Sequence, residues 1–345
     1  MHDSMSNIYR DGRNNSSRQG GAVLYQLADC ELLDGPSAPP SVGDILRVLG
    51  ASATGPILMA LGEGPRRTKE LVDRVPHYAP RTIYRYTDKL VQLGLVDRDE
   101  QGGVPSVVTY DLAGPGSELH DLLQSSTTSW LSRNEGGEIT VQAWASLGML
   151  AELWDLGIID ELSRGGRSVT ELSRRIRDLS YHQINRRISQ LMTGGFLEKH
   201  AGIGTSKLFQ LTAKSRRELS LVAAIGRWRK RQLGAPTDSA LTEEEMTTIL
   251  RATLPLAELP SQTERYVMLV VEDGPGSRET IGTVIARDGD VRFDQAAAEK
   301  TEARARGDVE AWLEVLLDGS LDGIDGAADP TVDALLSRLC AAPCR

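Results

Sequence analysis

Cysteine is scarce in this chain: Cys30, Cys340 and Cys344 are the only three in 345 residues. Their spacing fits neither a zinc site nor an obvious disulfide framework, so neither metal nor cross-links are expected to hold the fold. Histidine is nearly as sparse, with five residues scattered singly. No paired carboxylate, nucleophile elbow or metal-ligand spacing stands out. No catalytic residue, metal or cofactor is therefore expected, and the chain reads as a non-enzyme. Long apolar runs are missing too. Nowhere do about 18 apolar residues follow one another, which argues against a membrane-spanning helix. The first 20 residues, rich in Asn, Ser, Gly and Arg, lack the apolar run of a secretory signal.

What is present is unevenly charged. The net charge of −9 suits a nucleic-acid binder poorly until it is divided along the chain. Residues 141–233 hold 16 basic against 8 acidic side chains, and residues 234–345 hold 10 against 22. A strongly basic middle thus lies between a near-neutral first part and an acidic last part. A phosphate-binding surface can exist in an acidic protein on those terms.

A duplication sets the architecture. The segment from Leu46, LRVLGASATGPIL, lines up with the one from Leu147, LGMLAELWDLGII, at an offset of 101 residues. The same offset pairs Glu70 and Leu71 with Glu171 and Leu172, Ile83 with Ile184, Arg85 with Arg186, Leu90 with Leu191, and Leu95 and Val96 with Phe196 and Leu197. It slips by two where Tyr110 to Leu112 matches Phe209 to Leu211, in a stretch where length change is cheap. Each copy reads as a helix ending in a Gly-rich turn, a short helix opened by Thr68 or Thr170, and a longer helix. That last helix carries an apolar stripe at Ile83, Leu90 and Leu93, or at Ile184, Ile188 and Leu191. It stops at Gly94, or at Gly194 and Gly195, and a hairpin follows.

Three helices and a hairpin make a winged helix-turn-helix, whose recognition helix enters the DNA major groove. The fold class expected is mainly α with β wings, as two tandem winged helix-turn-helix domains, followed by an α+β domain. The boundaries are a flexible segment at 1–40, winged helix domains at 41–132 and 141–234, and the acidic α+β domain at 236–345.

The stretch VLGASATGPILMALGEGPRRTKELVDRVPHYAPRTIYRYTDKLVQLGLVDRD resembles the HxlR-type transcription regulators, relatives of the MarR and ArsR groups. Gly64, Pro65, Arg66 and Arg67 before the short helix, Leu90 to Leu93, and the GLV exit into the wing carry the likeness. It covers residues 42–130 and, more loosely, 143–232. The resemblance implies a transcription regulator that binds double-stranded DNA; with neither a signal run nor a long apolar stretch, a cytoplasmic location is the default, nucleoid-associated when bound to DNA. Such proteins commonly work as homodimers of one winged helix. Here two are fused, which leaves a homodimer and an intramolecular pseudo-dimer as alternatives. Cys30 lies outside the repeat, and the wing tip Gln101, Gly102, Gly103 is short of basic residues.

In the second copy Gln183, Asn185 and Arg186 are the candidates for base contact, and Arg175, Lys199 and Lys207 for phosphate; His182 and Arg187 are further polar contacts. Guanidinium groups pair bidentately with phosphate or guanine, and carboxamides with adenine. In the first copy Arg81, Thr82, Arg85 and Lys89 are equivalent, with Arg66 and Arg67 beside them. A merely solvated helix face is the alternative for all of these. Asp97, Asp99 and Glu100 in the first wing favour that copy less, and a scaffold or sensor role stays open for it. The basic run Arg227 to Arg231 suits phosphate or plain solvation equally. Tyr84, Trp130, Trp144, Trp154 and Trp228 read either as core or as the lining of a cavity for a small hydrophobic or aromatic ligand.

Beyond Pro236, Thr242 to Glu245 opens a helix, RYVMLVVE, ETIGTVIAR and DVRFD read as three strands, and helices are expected near Val309 to Leu317 and Thr331 to Leu339. ETIGTVIARDGDVRF and RGDVEAWLEVLLDGSLDGIDG resemble the C-terminal part of sterol-carrier-protein-2-like domains, which implies an apolar cavity. The functional expectation is a DNA-binding regulator responsive to a small hydrophobic ligand. The alternative is a sequestration protein that holds such a ligand between its domains, with DNA binding reduced or auxiliary.

Overall fold

Ser41 starts the first helix, α1 (Val42–Gly50), through a capping box: its Oγ accepts from Asp44 N–H at 3.1 Å, and Asp44 accepts from Ser41 N–H at 2.9 Å. The computed structural model describes residues 41–126 except 52 and 103–106, residues 144 and 147–151, residues 157–233 except 178 and 203–206, and residues 240–341 except 258, 261–263, 273–277, 286–287 and 295–298. After α1 come α2 (Thr54–Gly62), β1 (Arg66–Arg67), α3 (Thr68–Arg74), α4 (Pro80–Gln92), β2 (Val96–Gln101), β3 (Val107–Leu112) and α5 (Gly114–Ser126). The strands pair antiparallel in the order β1-β3-β2. Helix α4 buries Ile83, Tyr86, Thr87 and Leu90 and lies against α2.

Residues 147–151 are helical, and α6 (Ile158–Ser163), α7 (Val169–Arg175), α8 (Tyr181–Thr193), β4 (Leu197–Ala201), β5 (Lys207–Leu211) and α9 (Ala213–Leu233) follow. Several positions about 101 residues apart have similar local geometry. Gly64 and Gly165 share a φ of 128° and 130°, and Gly94 and Gly195 share 68° and 74°, values that glycine adopts without strain. Arg66 pairs with Tyr110 as Arg167 bridges Phe209. Glu70 and Glu171 each accept the backbone N–H three residues earlier at 2.7 Å, closing the starts of α3 and α7, while Leu71 and Leu172 are fully buried. The residue that caps α7 is Ser168, two positions before the Thr170 expected.

The two units meet along their outer helices. A Cβ on Gly50 would lie 2.2 Å from Gly148 N, so α1 crosses helical residues 147–151 at backbone contact. Trp144 is buried with its indole laid on Gly55, where a Cβ would meet the ring at 2.3 Å. From α9, Trp228 Nε1 donates to the Pro115 carbonyl at 3.1 Å, and Gln232 Nε2 to Glu118 Oε1 at 2.6 Å. Helix α9 packs against both α1 and α5.

The last part begins with α10 (Glu243–Thr253) and a 3-10 turn at Leu254–Leu256. It continues through β6 (Arg265–Glu272), β7 (Arg278–Ile285), β8 (Val291–Phe293), β9 (Ala303–Asp308), α11 (Val309–Asp318) and α12 (Pro330–Ala341). The sheet runs β8-β7-β6-β9, with β9 parallel to β6 and the other pairs antiparallel. Strand β9 is absent from the sequence reading. Its ARARGD alternates buried Ala305 and Gly307 with exposed Arg304 and Arg306, a period of two without large apolar residues.

Two polar joints fasten this part to the second unit. Arg251, almost fully buried, donates to Asp160 Oδ1 at 2.8 Å, and its guanidinium lies 5.2 Å over the Phe293 ring. Arg227 on α9 pairs with Asp318 and, at 3.5 Å, with Glu314, while Lys230 pairs with Glu310 at 2.8 Å. Two cations of the basic run at the end of α9 therefore face protein carboxylates. The Arg227 guanidinium holds the Asp318 carboxyl below the usual carboxylate range. Among the described residues no single helix is long and apolar enough to cross a membrane.

Within α9, Glu218 is buried, neither carboxylate oxygen has a hydrogen bond among the described residues, and Lys214 Nζ stands 3.7 Å away. Burial pushes its pKa from 4.5 to about 7. Below the lower value the carboxyl is protonated whether the chain is folded or not. As the pH rises from there only the unfolded chain gives up the proton, so this group costs stability progressively until about pH 7. Glu218→Gln should remove that slope: urea unfolding should show a gain approaching about 3 kcal/mol at pH 8 and none near pH 4.

Candidate nucleic-acid interface

Helix α4 starts at Ala79 with Pro80 in its first turn, where the missing N–H is harmless. Its buried stripe turns the opposite side outward. Arg81, Tyr84, Arg85 and Asp88 are exposed, and Thr82 and Lys89 are half-buried. The two tyrosines divide: Tyr86 is core, at 3% exposure, and Tyr84 stands out, at 45%. Arg85 Nη2 donates to Tyr86 Oη at 3.2 Å, and its guanidinium lies 4.8 Å from the Tyr86 ring centroid. The buried ring thus orients an exposed cation.

On α8 the corresponding face carries Tyr181, His182, Gln183, Asn185, Arg186 and Ser189, all exposed. Tyr181 and His182 meet edge to face at 5.9 Å. Gln183 is engaged by its own helix start. Its Oε1 accepts from both Ser180 N–H and Ser180 Oγ at 2.8 Å, in a capping box completed by Ser180 accepting from Gln183 N–H. Only its amide donors remain, so the two-point reading of adenine expected of it is not open in this conformation. Arg187 is half-buried and donates to Gln190 at 3.4 Å. Asn185 and Arg186 are the outward polar pair.

Arg175 lies 3.5 Å from Glu161, as Arg74 lies 2.6 Å from Glu63 in the first unit. Both arginines thus brace the turn before the short helix. Lys199 and Lys207 are exposed on the two arms of the β4-β5 hairpin, and His200 sits 3.3 Å from Glu198. The β2 arm instead exposes Asp97, Asp99 and Glu100.

Residues retained at the 101-residue offset sort by role. Leu46, Leu49, Ile57, Leu61, Leu71, Ile83 and Leu90 are buried in the first unit, Glu70 closes a helix start, and Arg74 makes a local ion pair. Arg85 and Arg186 alone among these face solvent on the long helix without a carboxylate partner among the described residues. The sequence reading omitted Tyr181, whose exposed ring at the start of α8 matches Pro80 rather than another aromatic.

Trp130 and Trp154 lie outside the described residues. Trp144 and Trp228 are buried, the one on Gly55 and the other bonded to Pro115. Trp228 borders an apolar cleft with Ile45, Val48, Leu93 and Leu119, and the 10 Å³ open to a water-sized sphere there suits about one water. Among the described residues no group of three or more His, Cys, Asp or Glu side chains is placed to hold a metal ion.

Residues 48–136 match the family described as HxlR-like helix-turn-helix. These residues are a single winged helix-turn-helix domain of that kind. Among solved structures, the chain is similar to diamide-treated YodB from B. subtilis, with 26% identity over 24% of this chain and 83% of that one, at a TM-score of 0.23. The reduced form of the transcriptional regulator YodB from B. subtilis gives 27% identity over 24% and 79%, at a TM-score of 0.22. No curated protein matches the chain.

The capping role of Gln183 is open to a stability measurement. Ser180→Ala and Gln183→Ala should each lower the urea-derived stability by about 1 kcal/mol. The double variant should lose little more than either alone, because both remove the same box.

Proposed function

We propose that this chain is a DNA-binding transcription regulator in which two winged helix units, at 41–132 and 141–234, form an intramolecular pseudo-dimer. The observation that carries this reading is the placement of Arg85 and Arg186. They occupy the same outward position on equivalent helices of two units sharing turn geometry, strand register and helix starts. The family match to residues 48–136 supports the DNA-binding role of the first unit, and the repeated geometry extends it to the second. The matched family is non-catalytic, so no reaction is assigned.

In this reading Arg81, Arg85 and Lys89 on α4 and Asn185 and Arg186 on α8 face the grooves. Lys199 and Lys207 hold phosphates beside the second unit, with Arg175 available through its exposed edge. His182 and the amide donors of Gln183 add polar contacts at the start of α8, and Thr82 and Arg187 support the two helices from their flanks. The acidic part from residue 236 stays off the DNA, bracing α9 through Arg227 and Lys230 and holding Asp160 on α6 through its own Arg251. The narrow cleft at Trp228 lends no support to a small hydrophobic effector, so the proposal stops at DNA binding.

Fluorescence anisotropy with a labelled duplex from upstream of the gene itself, at two salt concentrations, tests the reading. Binding should weaken steeply with salt. Arg85→Ala and Arg186→Ala should each cost about ten- to a hundredfold in affinity without changing the melting temperature. A folded chain with no salt-sensitive affinity for any duplex would refute it.

A further inference from the structure

We infer that the DNA this chain recognises is not palindromic: its two half-sites share a guanine and differ beside it, and one chain fills both. The inference rests on the DNA-binding reading above and adds the nature of the partner. Its basis is the contrast between the exposed faces of α4 and α8. At the 101-residue offset Arg85 and Arg186 are identical, while the outward residues around them are not. Arg81 faces His182, Tyr84 faces Asn185, and Asp88 faces Ser189 in the alignment, and all six are exposed.

These exchanges change the chemistry offered to a base edge. A guanidinium forks onto guanine O6 and N7 in either unit. Beside it, Asn185 presents a carboxamide, which pairs at two points with adenine. Tyr84, 45% exposed, presents instead an apolar ring suited to a thymine methyl, and Asp88 an acceptor suited to the cytosine amino group. The α8 half-site is therefore guanine with adenine, and the α4 half-site guanine with thymine or cytosine in contact.

The wings add to the asymmetry. Lys199 and His200 on β4 stand where Arg98 and Asp99 stand on β2, and Glu100 falls where the second copy has Ala201. Arg98 is itself paired with Glu100 at 3.2 Å. The second half-site is thus gripped by its backbone more strongly than the first. A symmetric dimer of one domain presents the same face twice and selects an inverted repeat. Two unlike faces locked in one chain by the Gly50 and Gly148 contact cannot do so.

The experiment is selection from a randomised duplex pool with the full chain, followed by sedimentation of the complex with the enriched duplex. The expected result is a motif of two unlike half-sites bound by one chain. Inverted repeats built from either half-site should bind at least about tenfold more weakly. A Tyr84→Asn, Asp88→Ser chain should shift the first half-site toward the second, and its melting curve reports whether it is folded. An enriched palindrome with two chains per duplex, or a motif of one half-site only, would overturn this inference and leave the DNA-binding reading standing. Absence of any enrichment or salt-sensitive binding would overturn both.

Discussion

The approach of α1 to the helical residues 147–151, at Gly50 and Gly148, is the contact on which the arrangement of the molecule depends. Where a side chain's first carbon would stand 2.2 Å from a backbone nitrogen, neither helix can be moved outward without separating the units. The rest of the joint follows from that proximity. Trp144 can lie on Gly55, and α9 can come near enough to α5 for the Trp228 indole to reach the Pro115 carbonyl. Those bonds are individually modest, and buried apolar area adds the larger part. The geometric consequence matters more than the sum, because the close crossing sets how α4 and α8 are placed relative to each other.

Charge is organised around the same joint. A chain with a net charge of −9 would repel DNA if its carboxylates were spread evenly. Instead Glu310, Glu314 and Asp318 lie against Arg227 and Lys230, and Asp160 against Arg251. The acidic part thereby neutralises two cations of α9, while its own Arg251 is neutralised by Asp160 of the second unit. Arg186, Lys199 and Lys207 stay exposed on other elements of the second unit, α8, β4 and β5. Partly exposed pairs of this kind contribute little stability each, so their main effect is orientation.

The positions of the long helices were legible in the sequence. Apolar spacing at Ile83 and Leu90, and again at Ile184, Ile188 and Leu191, located both long helices, since a buried stripe has to recur with the helical period. Gly94 and Gly195 marked the exits into the hairpins. Other features were not legible. Strand β9 hides its period of two behind alanine, glycine and arginine. Gln183 looks like a reader of bases until its carbonyl is seen closing the helix on Ser180. The tryptophans suited a cavity as well as a core, and only their neighbours separate the two for Trp144 and Trp228. The basic run on α9 suited phosphate until Asp318 and Glu310 were found facing it, because ion pairs across about 80 to 90 residues of sequence leave no local pattern.

The measurement that bears most directly on the fixed joint is urea unfolding of Gly50→Ala beside Gly148→Ala. A Cβ on Gly148 has its nearest neighbour, Gly50 O, at 3.8 Å, an ordinary contact, whereas one on Gly50 strikes backbone. Gly50→Ala should therefore lose about 2 kcal/mol or more, and Gly148→Ala should stay within about 1 kcal/mol of the native chain. Equal stability of both variants with the native chain would contradict the close crossing, and with it the account of two units held as one.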